Sequence, residues 1–158
     1  MTKPVTNLDP IDRQLLSELQ DNGRITNVAL AEKVGLTAPP CLRRVRALEN
    51  AGVIRGYHAD LDPGTLGYGI TVFAMVSLKS QSEEALQAFE SHVGELPEVR
   101  ECHMLNGEID YILKVVSEDL QTFQTFLTGH LVNAPHVASV KTSLTIRTTK
   151  HEPGVPLD

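Results

Sequence analysis

The sequence predicts an α+β protein in which a winged helix-turn-helix unit precedes a β-α-β-β-α-β unit with a ferredoxin-like arrangement. Apolar residues recur with helical spacing up to about residue 50, and β-rich runs alternate with helical ones beyond residue 68. Asp62-Pro63-Gly64 is a turn signal between these two patterns. We therefore expect the first unit over residues 1–60, a linker over residues 61–67 and the second unit over residues 68–158.

The composition is that of a globular protein, with 41% hydrophobic and 22% charged residues among 158. No apolar run approaches the ~20 residues that a membrane span needs. The N-terminus, MTKPVTNLDP, lacks the apolar core of a signal peptide, so a cytoplasmic location with no membrane partner is expected. The two widely separated cysteines, Cys41 and Cys102, are accordingly expected to be reduced and to be buried structural thiols.

The net charge of −6 is unevenly distributed along the chain. Residues 1–60 carry eight Lys and Arg against seven Asp and Glu, whereas residues 61–158 carry six against thirteen. Residues 41–55 alone contain four Arg against one Glu. A local basic patch on an otherwise acidic chain is compatible with a nucleic-acid contact at one place and disfavours non-specific binding elsewhere.

Capping residues and apolar stripes predict the first two helices. The first begins after Asp9, with Pro10 at its first position, and ends at Asn22-Gly23. The second is capped by Thr26 and ends at Gly35, for which a positive φ is expected. The expected stripes are Ile11, Leu15, Leu16 and Leu19 in the first helix and Val28, Leu30, Ala31 and Val34 in the second.

The third helix, residues 37–50, follows after a tight turn and completes a helix-turn-helix. The Thr37 hydroxyl is expected to accept a hydrogen bond from an N–H of the first turn, where two prolines fit because a missing N–H costs little. Leu42, Val45 and Leu48 share one face, which directs three arginines outward. Arginine so placed can pair with phosphates or bind guanine in the major groove, and a solvated basic face is the alternative. The candidate DNA-contacting residues of this helix are Thr37, Pro39, Pro40, Arg43, Arg44 and Arg46.

A short β-ribbon, or wing, is predicted after Gly52 from the β-branched and aromatic residues of VIRGYHADL. Arg55 lies in this segment and is a further candidate for a phosphate contact, although it is equally compatible with a solvated side chain.

Strands and helices alternate in the second unit. The run GITVFAMVSLK, near residues 69–79, is apolar on both faces, so helices must cover one face, and a second subunit is a natural cover for the other. The order of predicted elements is β-α-β-β-α-β. The remaining elements are a helix from Ser82 to about Leu96 with Leu86, Phe89 and Val93 inward, strands over 99–105 and 109–116, a helix over 120–132, a strand over 137–148 and a loose tail, HEPGVPLD.

No catalytic, cofactor or metal constellation is found in the sequence. The six histidines and two cysteines show no metal-ligand spacing, and no Gly-rich phosphate loop is present. One turn remains open to two interpretations: an ordinary hairpin turn with two exposed carboxylates, or a small-molecule site in which a carboxylate receives an ammonium group. The residues of this turn are Leu105, Asn106, Gly107, Glu108, Asp110 and Tyr111.

Two stretches together resemble the Lrp/AsnC (leucine-responsive, or feast/famine) family of transcriptional regulators. They are LDPIDRQLLSELQDNGRITNVALAEKVGLTAPPCLRRVRALENAGVIRGYHADLD and ECHMLNGEIDYILKV. The resemblance implies a winged helix-turn-helix, an effector-binding βαββαβ domain, dimers whose sheets pack face to face, and octamers or other multiples of dimers with amino acids at the contacts between dimers. By motif, Pro39, Pro40, Arg43 and Arg44 fall where family members contact DNA.

The same resemblance carries over to the hairpin turn. Gly107, Glu108, Asp110 and Tyr111 match the family's glycine-acid-x-acid-aromatic effector motif, with Glu108 where aspartate is common. The last strand, around residues 137–142, is implied to form another wall of the pocket. The resemblance therefore favours an effector site at this turn.

Three functions remain under consideration. The leading one is a sequence-specific regulator of double-stranded DNA that is modulated by a small molecule, an amino acid by the resemblance. The second is a constitutive architectural DNA-binding protein with little ligand response. The third, a small amino-acid-metabolising enzyme, is disfavoured because no acid–base or nucleophile constellation is found.

Overall fold

The structure, a computed structural model, describes residues 8–157. The chain divides into two compact units. One comprises the residues up to Asp60 together with those from Lys150 onward, and the other is Leu61–Thr149. Each unit has its own hydrophobic core.

Three helices form the first unit: α1 (Pro10–Asp21), α2 (Asn27–Lys33) and α3 (Ala38–Asn50). The predicted caps of the first two are present, since Asp9 Oδ1 accepts from Asp12 N at 2.8 Å and Thr26 Oγ1 accepts from Ala29 N at 3.2 Å. Gly35 has the expected positive φ, 68°, which lets the chain leave α2 and enter α3 within a few residues.

The core of this unit lies between the three helices, and it differs in two positions from the predicted stripes. Cys41 replaces Leu42 as the inward residue of α3: Cys41 is fully buried, whereas Leu42 is 38% exposed. Val28, expected to be inward on α2, is 59% exposed. The Leu42 prediction was wrong because Cys41, Val45 and Leu48, spaced four and three residues apart, align better toward the neighbouring helices than a strict three-residue repeat. In α2 the buried residues are Leu30 and Ala31, and Val34 follows the helix as its buried cap.

The predicted wing strand does not form within the described part of the chain. Residues 53–69 contain no paired strand in the structure. A lone two-stranded ribbon is marginal without further strands, and this segment carries weak β-formers such as Gly56, Asp60 and Pro63. The segment is therefore an irregular connection that follows α3 and contains a turn at residues 63–67.

The sequence predicts a loose C-terminal tail, but in the structure this segment docks on α1. The side-chain amide of Gln20 donates from Nε2 to the Val155 carbonyl at 2.9 Å and accepts at Oε1 from Val155 N at 3.0 Å. One glutamine thus pairs with both backbone groups of one residue, as a neighbouring strand would. This contact places the end of the chain in the first unit.

The second unit has the predicted βαββαβ order. Its elements are β1 (Ile70–Leu78), α4 (Glu83–Gly94), β2 (Val99–Met104), β3 (Tyr111–Ser117), α5 (Leu120–Phe126) and β4 (Val137–Leu144). The four strands form an antiparallel sheet in the order β2-β3-β1-β4. Helix α5 continues as a π-helical turn over Leu127–Leu131.

The two faces of the sheet differ as the alternation of residues in β1 predicts. Val72, Ala74 and Val76 are buried against the helices, together with the inward residues of β3. Phe73, on the other face, is 37% exposed, and Met75 beside it is half-buried. The outward face therefore carries apolar side chains that remain partly exposed within the described part of the chain.

Candidate functional site

The residue that precedes helix α3 makes no side-chain hydrogen bond to the start of the helix. Thr37 occupies the N-cap position, but its side chain makes no capping hydrogen bond, so that expectation was wrong. An N-cap oxygen accepts from the N–H of the second or third helical residue, and these are Pro39 and Pro40, which have none. The hydroxyl is therefore available to another acceptor or donor at the exposed start of the helix.

Arg44 does not point outward with its neighbours, contrary to the prediction. Its Nη1 donates to Asp9 Oδ2 at 2.7 Å and to Asp12 Oδ1 at 2.8 Å. These contacts tie α3 to the N-terminus of α1. The pKa of the Asp9 carboxyl is lowered from its usual value by the hydrogen bond from Asp12 N and by that from Arg44. Arg44 is thus already engaged by two carboxylates of its own chain.

Two arginines of α3 remain directed to solvent. Arg43 and Arg46 are both exposed, and neither forms an ion pair with a described residue. Pro39 is exposed beside them, Pro40 is half-buried, and Arg55 is exposed on the segment that follows the helix. The structure therefore brings part of the predicted DNA-contacting set, Thr37, Pro39, Arg43 and Arg46, to the accessible surface of one helix.

The hairpin turn between β2 and β3 separates its predicted effector residues into two groups. Leu105, Asn106, Gly107 and Glu108 are exposed, and Gly107 has φ 155°, which favours glycine. Asp110 and Tyr111, in contrast, are 8% and 1% exposed and belong to the interior of the unit. The motif therefore forms an exposed loop with a buried base.

Asp110 binds groups of its own chain. Its Oδ2 accepts from Leu78 N at 2.7 Å, and its Oδ1 accepts from Gln81 Nε2 at 2.6 Å. The carboxylate thereby holds the end of β1 and the residues before α4 against the turn. An effector ammonium at this position would have to share a carboxylate that already has two protein donors.

Tyr111 connects the turn to α4. Its hydroxyl donates to Glu90 Oε1 at 2.8 Å, and its ring centroid lies 4.8 Å from that of Phe89. Burial and the hydrogen bond to Glu90 raise the pKa of the Tyr111 hydroxyl well above its usual value, so that the hydroxyl stays protonated and remains a donor. Glu90 was not singled out from the sequence.

A cavity of about 300 Å³ lies between α4 and β2, next to this hydrogen bond. Its lining includes Glu90, Val93, Gly94, Arg100, Met104 and Tyr111. Only Tyr111 among these belongs to the predicted effector residues. No sequence motif marks the others, because they come from a helix and an edge strand that meet only in the folded chain.

Cys41 is buried, as expected, whereas Cys102 is exposed on β2, so the expectation of a buried thiol was wrong for Cys102. Its strand lies at the edge of the sheet and receives little cover from α4.

Within residues 8–157, no group of three or more His, Cys, Asp or Glu side chains is placed to hold a metal ion. None of the helices described is both long and apolar enough to cross a membrane.

Family models match both units of the chain. A model described as the Lrp/AsnC ligand binding domain matches residues 71–155, and one described as a winged helix-turn-helix DNA-binding domain matches residues 8–55. Among curated relatives, a leucine-responsive regulatory protein of Rhizobium meliloti is 54% identical over 90% of this chain and 92% of its own length. One from Escherichia coli is 38% identical over 94% of this chain and 90% of its own.

Solved structures agree with the sequence relatives. A transcriptional regulator from Neisseria meningitidis, in complex with L-Met, is 38% identical, with a TM-score of 0.92 over 96% of this chain and 98% of its own. An AsnC family regulator from Agrobacterium tumefaciens is 34% identical, with a TM-score of 0.89 over 95% and 97%. These matches confirm the predicted combination of a DNA-binding helix-turn-helix and a ligand-binding domain, and the chain belongs to the Lrp/AsnC family of transcriptional regulators.

Proposed function

We propose that this protein binds specific sequences of double-stranded DNA through α3 and that an amino acid, bound by the second unit, changes its DNA binding or its assembly. The observation that carries the first part is the pair of exposed arginines, Arg43 and Arg46, on a helix pinned by buried residues on its other side. The second part is supported by the ligand-binding family model and by the relative whose structure contains L-Met.

The DNA-binding surface that we propose comprises the start and the outward face of α3. The Thr37 hydroxyl, which does not cap the helix, and the exposed Pro39 lie at the helix start, where a phosphate can approach. Arg43 and Arg46 are placed to contact phosphates or base edges, and Arg55 to contact a phosphate beyond the helix. Arg44 acts in this proposal by holding α3 to α1 rather than by touching DNA.

We propose that the effector is recognised at the end of the sheet where the β2–β3 turn lies. The exposed part of the turn, Leu105 to Glu108, supplies a carboxylate and backbone groups, and Gly107 allows close approach of a ligand. Asp110 and Tyr111 support this loop from beneath. The sheet register places Tyr111 and Val140 on either side of Val76, which brings β4 to the same end of the unit.

Self-association belongs to the same proposal. The outward face of the sheet carries Phe73, Met75, Ile112 and Val116 around the ion pair between Lys114 Nζ and Glu101 Oε1, 3.0 Å apart. A partly apolar face of this kind is suited to a second copy of the chain, so we propose dimers that assemble further, with an octamer as one such assembly. We further propose that the protein acts in the cytoplasm as a regulator without catalytic activity.

The second candidate function is a constitutive, architectural DNA-binding protein with little ligand response. One observation favours it: the buried carboxylate of the effector motif, Asp110, is already bound by Leu78 and Gln81. An amino acid that changes neither the DNA affinity nor the mass of the assembled protein would support this alternative.

Arginine variants of α3 test the DNA-binding surface. We expect Arg43→Ala and Arg46→Ala each to weaken DNA binding. If the side chain contacts a base, the loss should be about 1–3 kcal/mol and the sequence preference should relax. If it contacts a phosphate, the loss should be equal for all sequences, and the slope of log affinity against log salt concentration should fall in magnitude by about 1. Neither change should affect stability, because both side chains are exposed. Fluorescence anisotropy on a duplex selected from a random pool, repeated over a range of salt concentrations, measures both effects.

Arg44→Ala and Arg13→Ala are the controls for this experiment. Arg44→Ala should lower the melting temperature, since it removes the partner of Asp9 and Asp12, and Arg13→Ala, exposed on α1, should change neither property. If Arg43→Ala and Arg46→Ala bind DNA as the unchanged protein does, α3 is not the DNA-contacting surface.

A further inference from the structure

Leu42 is exposed beside the solvent-directed arginines of α3. The sequence predicts that it faces inward, but it is 38% exposed, and Cys41 takes the inward place. Residues three and four apart are neighbours on the surface of a helix, so Leu42 lies next to Pro39 and Arg46. Arg43 likewise follows Pro39 by four positions. We call these four exposed residues, Pro39, Leu42, Arg43 and Arg46, the outward patch of α3.

Half of the outward patch is apolar. The ring of Pro39 has no N–H to donate and no polar side-chain atom, and Leu42 offers only aliphatic groups. Neither residue belongs to the buried side of the helix, which consists of Cys41, Val45 and Leu48. The packing of the three helices therefore does not explain why apolar side chains occupy these two positions.

The other half of the patch indicates the surface that lies opposite. Guanidinium groups such as those of Arg43 and Arg46 pair with phosphates, or with the O6 and N7 acceptors of guanine in the major groove of duplex DNA. In that groove an apolar side chain finds one apolar group on the bases, the C5 methyl of thymine. Cytosine, the other pyrimidine, presents an amino group there instead. Apolar residues between arginines thus favour thymine over cytosine.

We propose that Pro39 and Leu42 determine sequence specificity by contacting thymine methyl groups, next to a guanine bound by Arg43. Pro39 and Arg43 are separated by about 6 Å along the helix axis, since an α-helix rises about 1.5 Å per residue. Successive base pairs are about 3.4 Å apart, so we expect the thymine and the guanine within about two base pairs of each other. The inference rests on the proposed binding of DNA through α3 and adds the bases that this helix selects.

Deoxyuridine in place of thymidine tests the methyl contacts, because it lacks the methyl group and keeps every hydrogen-bonding atom. The full-length protein is titrated with a duplex selected from a random pool, and with copies in which one thymine at a time is replaced. We expect replacement at the contacted positions to weaken binding about 3- to 5-fold, the effect of one buried methyl group. Thymines elsewhere in the duplex should tolerate the replacement.

Variants assign each contacted thymine to a side chain. Pro39→Ala and Leu42→Ala should each bind the thymine and deoxyuridine duplexes equally at the position that the missing side chain contacts. Val28→Ala is the matched control, because it shortens an apolar side chain that is 59% exposed on another helix of the same unit. It should retain the full difference between the two duplexes.

A second modified base tests the neighbouring guanine. 7-Deazaguanine lacks the N7 acceptor, so the unchanged protein should bind it more weakly than guanine at the position that Arg43 contacts. Arg43→Ala should bind both bases equally there and should retain the difference between thymine and deoxyuridine. A selected duplex with no thymine within about two base pairs of this guanine would overturn the inference.

Two other results separate this inference from the proposed function. If deoxyuridine is tolerated at every position, or if Pro39→Ala and Leu42→Ala retain the full difference, the outward patch does not contact thymine methyl groups. Weaker DNA binding by Arg43→Ala and Arg46→Ala would then still support α3 as the DNA-binding surface. If these two variants also bind DNA as the unchanged protein does, both the inference and the proposed surface fail.

Discussion

Asp110 illustrates how a residue of a functional motif can have a structural task. It is 8% exposed and accepts a hydrogen bond from the backbone N–H of Leu78 at 2.7 Å. Removal of the carboxylate would leave that donor without a partner in a buried place. The sequence motif identified the residue but not its bonding partners, because Leu78 and Gln81 are distant in the chain and meet Asp110 only in the folded sheet.

We therefore expect Asp110→Ala to lower the free energy of unfolding by about 1–3 kcal/mol, the typical cost of a buried unsatisfied group. Urea denaturation of the two proteins measures it. Glu108→Ala, in the same turn but exposed, is the matched control and should change stability by less than about 0.5 kcal/mol. Equal stability of the Asp110 variant and the unchanged protein would show that the carboxylate is free to serve a ligand.

The contact of Asp9 with Arg44 makes the stability of the first unit dependent on pH. The hydrogen bonds from Asp12 N and Arg44 lower the pKa of Asp9 in the folded chain. The ionised carboxylate thus stabilises the fold above the ordinary carboxyl pKa of about 3.9, and this contribution is lost as the pH falls through the lowered pKa. Asp9→Asn keeps a capping side chain and removes the charge.

We expect Asp9→Asn to lower the melting temperature at about pH 7 and to have a progressively smaller effect as the pH falls from the ordinary carboxyl pKa of about 3.9 through the lowered pKa of Asp9, because the carboxyl of the unchanged protein then becomes protonated as well. Thermal unfolding followed by circular dichroism over this range tests the expectation. A difference that is constant with pH would mean that the charge of Asp9 does not contribute.

Among the elements, the helices were predicted closely because capping and terminating residues adjacent in sequence determine where they begin and end. Asp9, Thr26 and Ser82 each cap the helix that follows, and Gly35 ends α2 with a positive φ. Two predictions about these elements were wrong. Thr37 does not cap α3 because the prolines that follow it have no N–H to donate, and the predicted wing strand does not form because the described chain offers it no strand with which to pair.

The docked C-terminal segment is an element that the sequence did not indicate. Gly154, with φ 80°, allows the chain to lie against the Gln20 side chain, and a Cβ at this position would overlap that side chain. The contact consists of two hydrogen bonds from one amide, a pattern that leaves no periodic or capping signal in the residues around it.

Gly154→Ala should release this segment from α1, both because the left-handed conformation disfavours a side chain and because the added carbon displaces Gln20. The expected result is faster hydrogen exchange at the Val155 amide, measured by mass spectrometry of the C-terminal peptide. Gly94→Ala, where a Cβ has open space, should leave that exchange unchanged. Equal exchange in the Gly154 variant and the unchanged protein would mean that the segment is not held by this contact.

For the whole molecule, the fold class followed from the change of periodicity along the chain, and the topology followed from the order of predicted elements. The strand order β2-β3-β1-β4 is the one expected for this arrangement. The cavity between α4 and β2 could not be predicted, because its lining residues Glu90 and Arg100 belong to different elements and meet only through packing. The sequence likewise did not show that Arg44 pairs with Asp9 and Asp12 while Arg43 and Arg46 face solvent, because this difference depends on the position of α1.

We propose that the whole molecule couples amino-acid binding in one unit to DNA binding by the other, or to its assembly. The most direct measurement is a titration of the selected DNA duplex with and without each of the common amino acids, with light scattering of the same samples. We expect at least one amino acid to change the DNA affinity by about 5-fold or more, or to change the mass of the assembly. Affinity and mass that stay the same with every amino acid would contradict the claim.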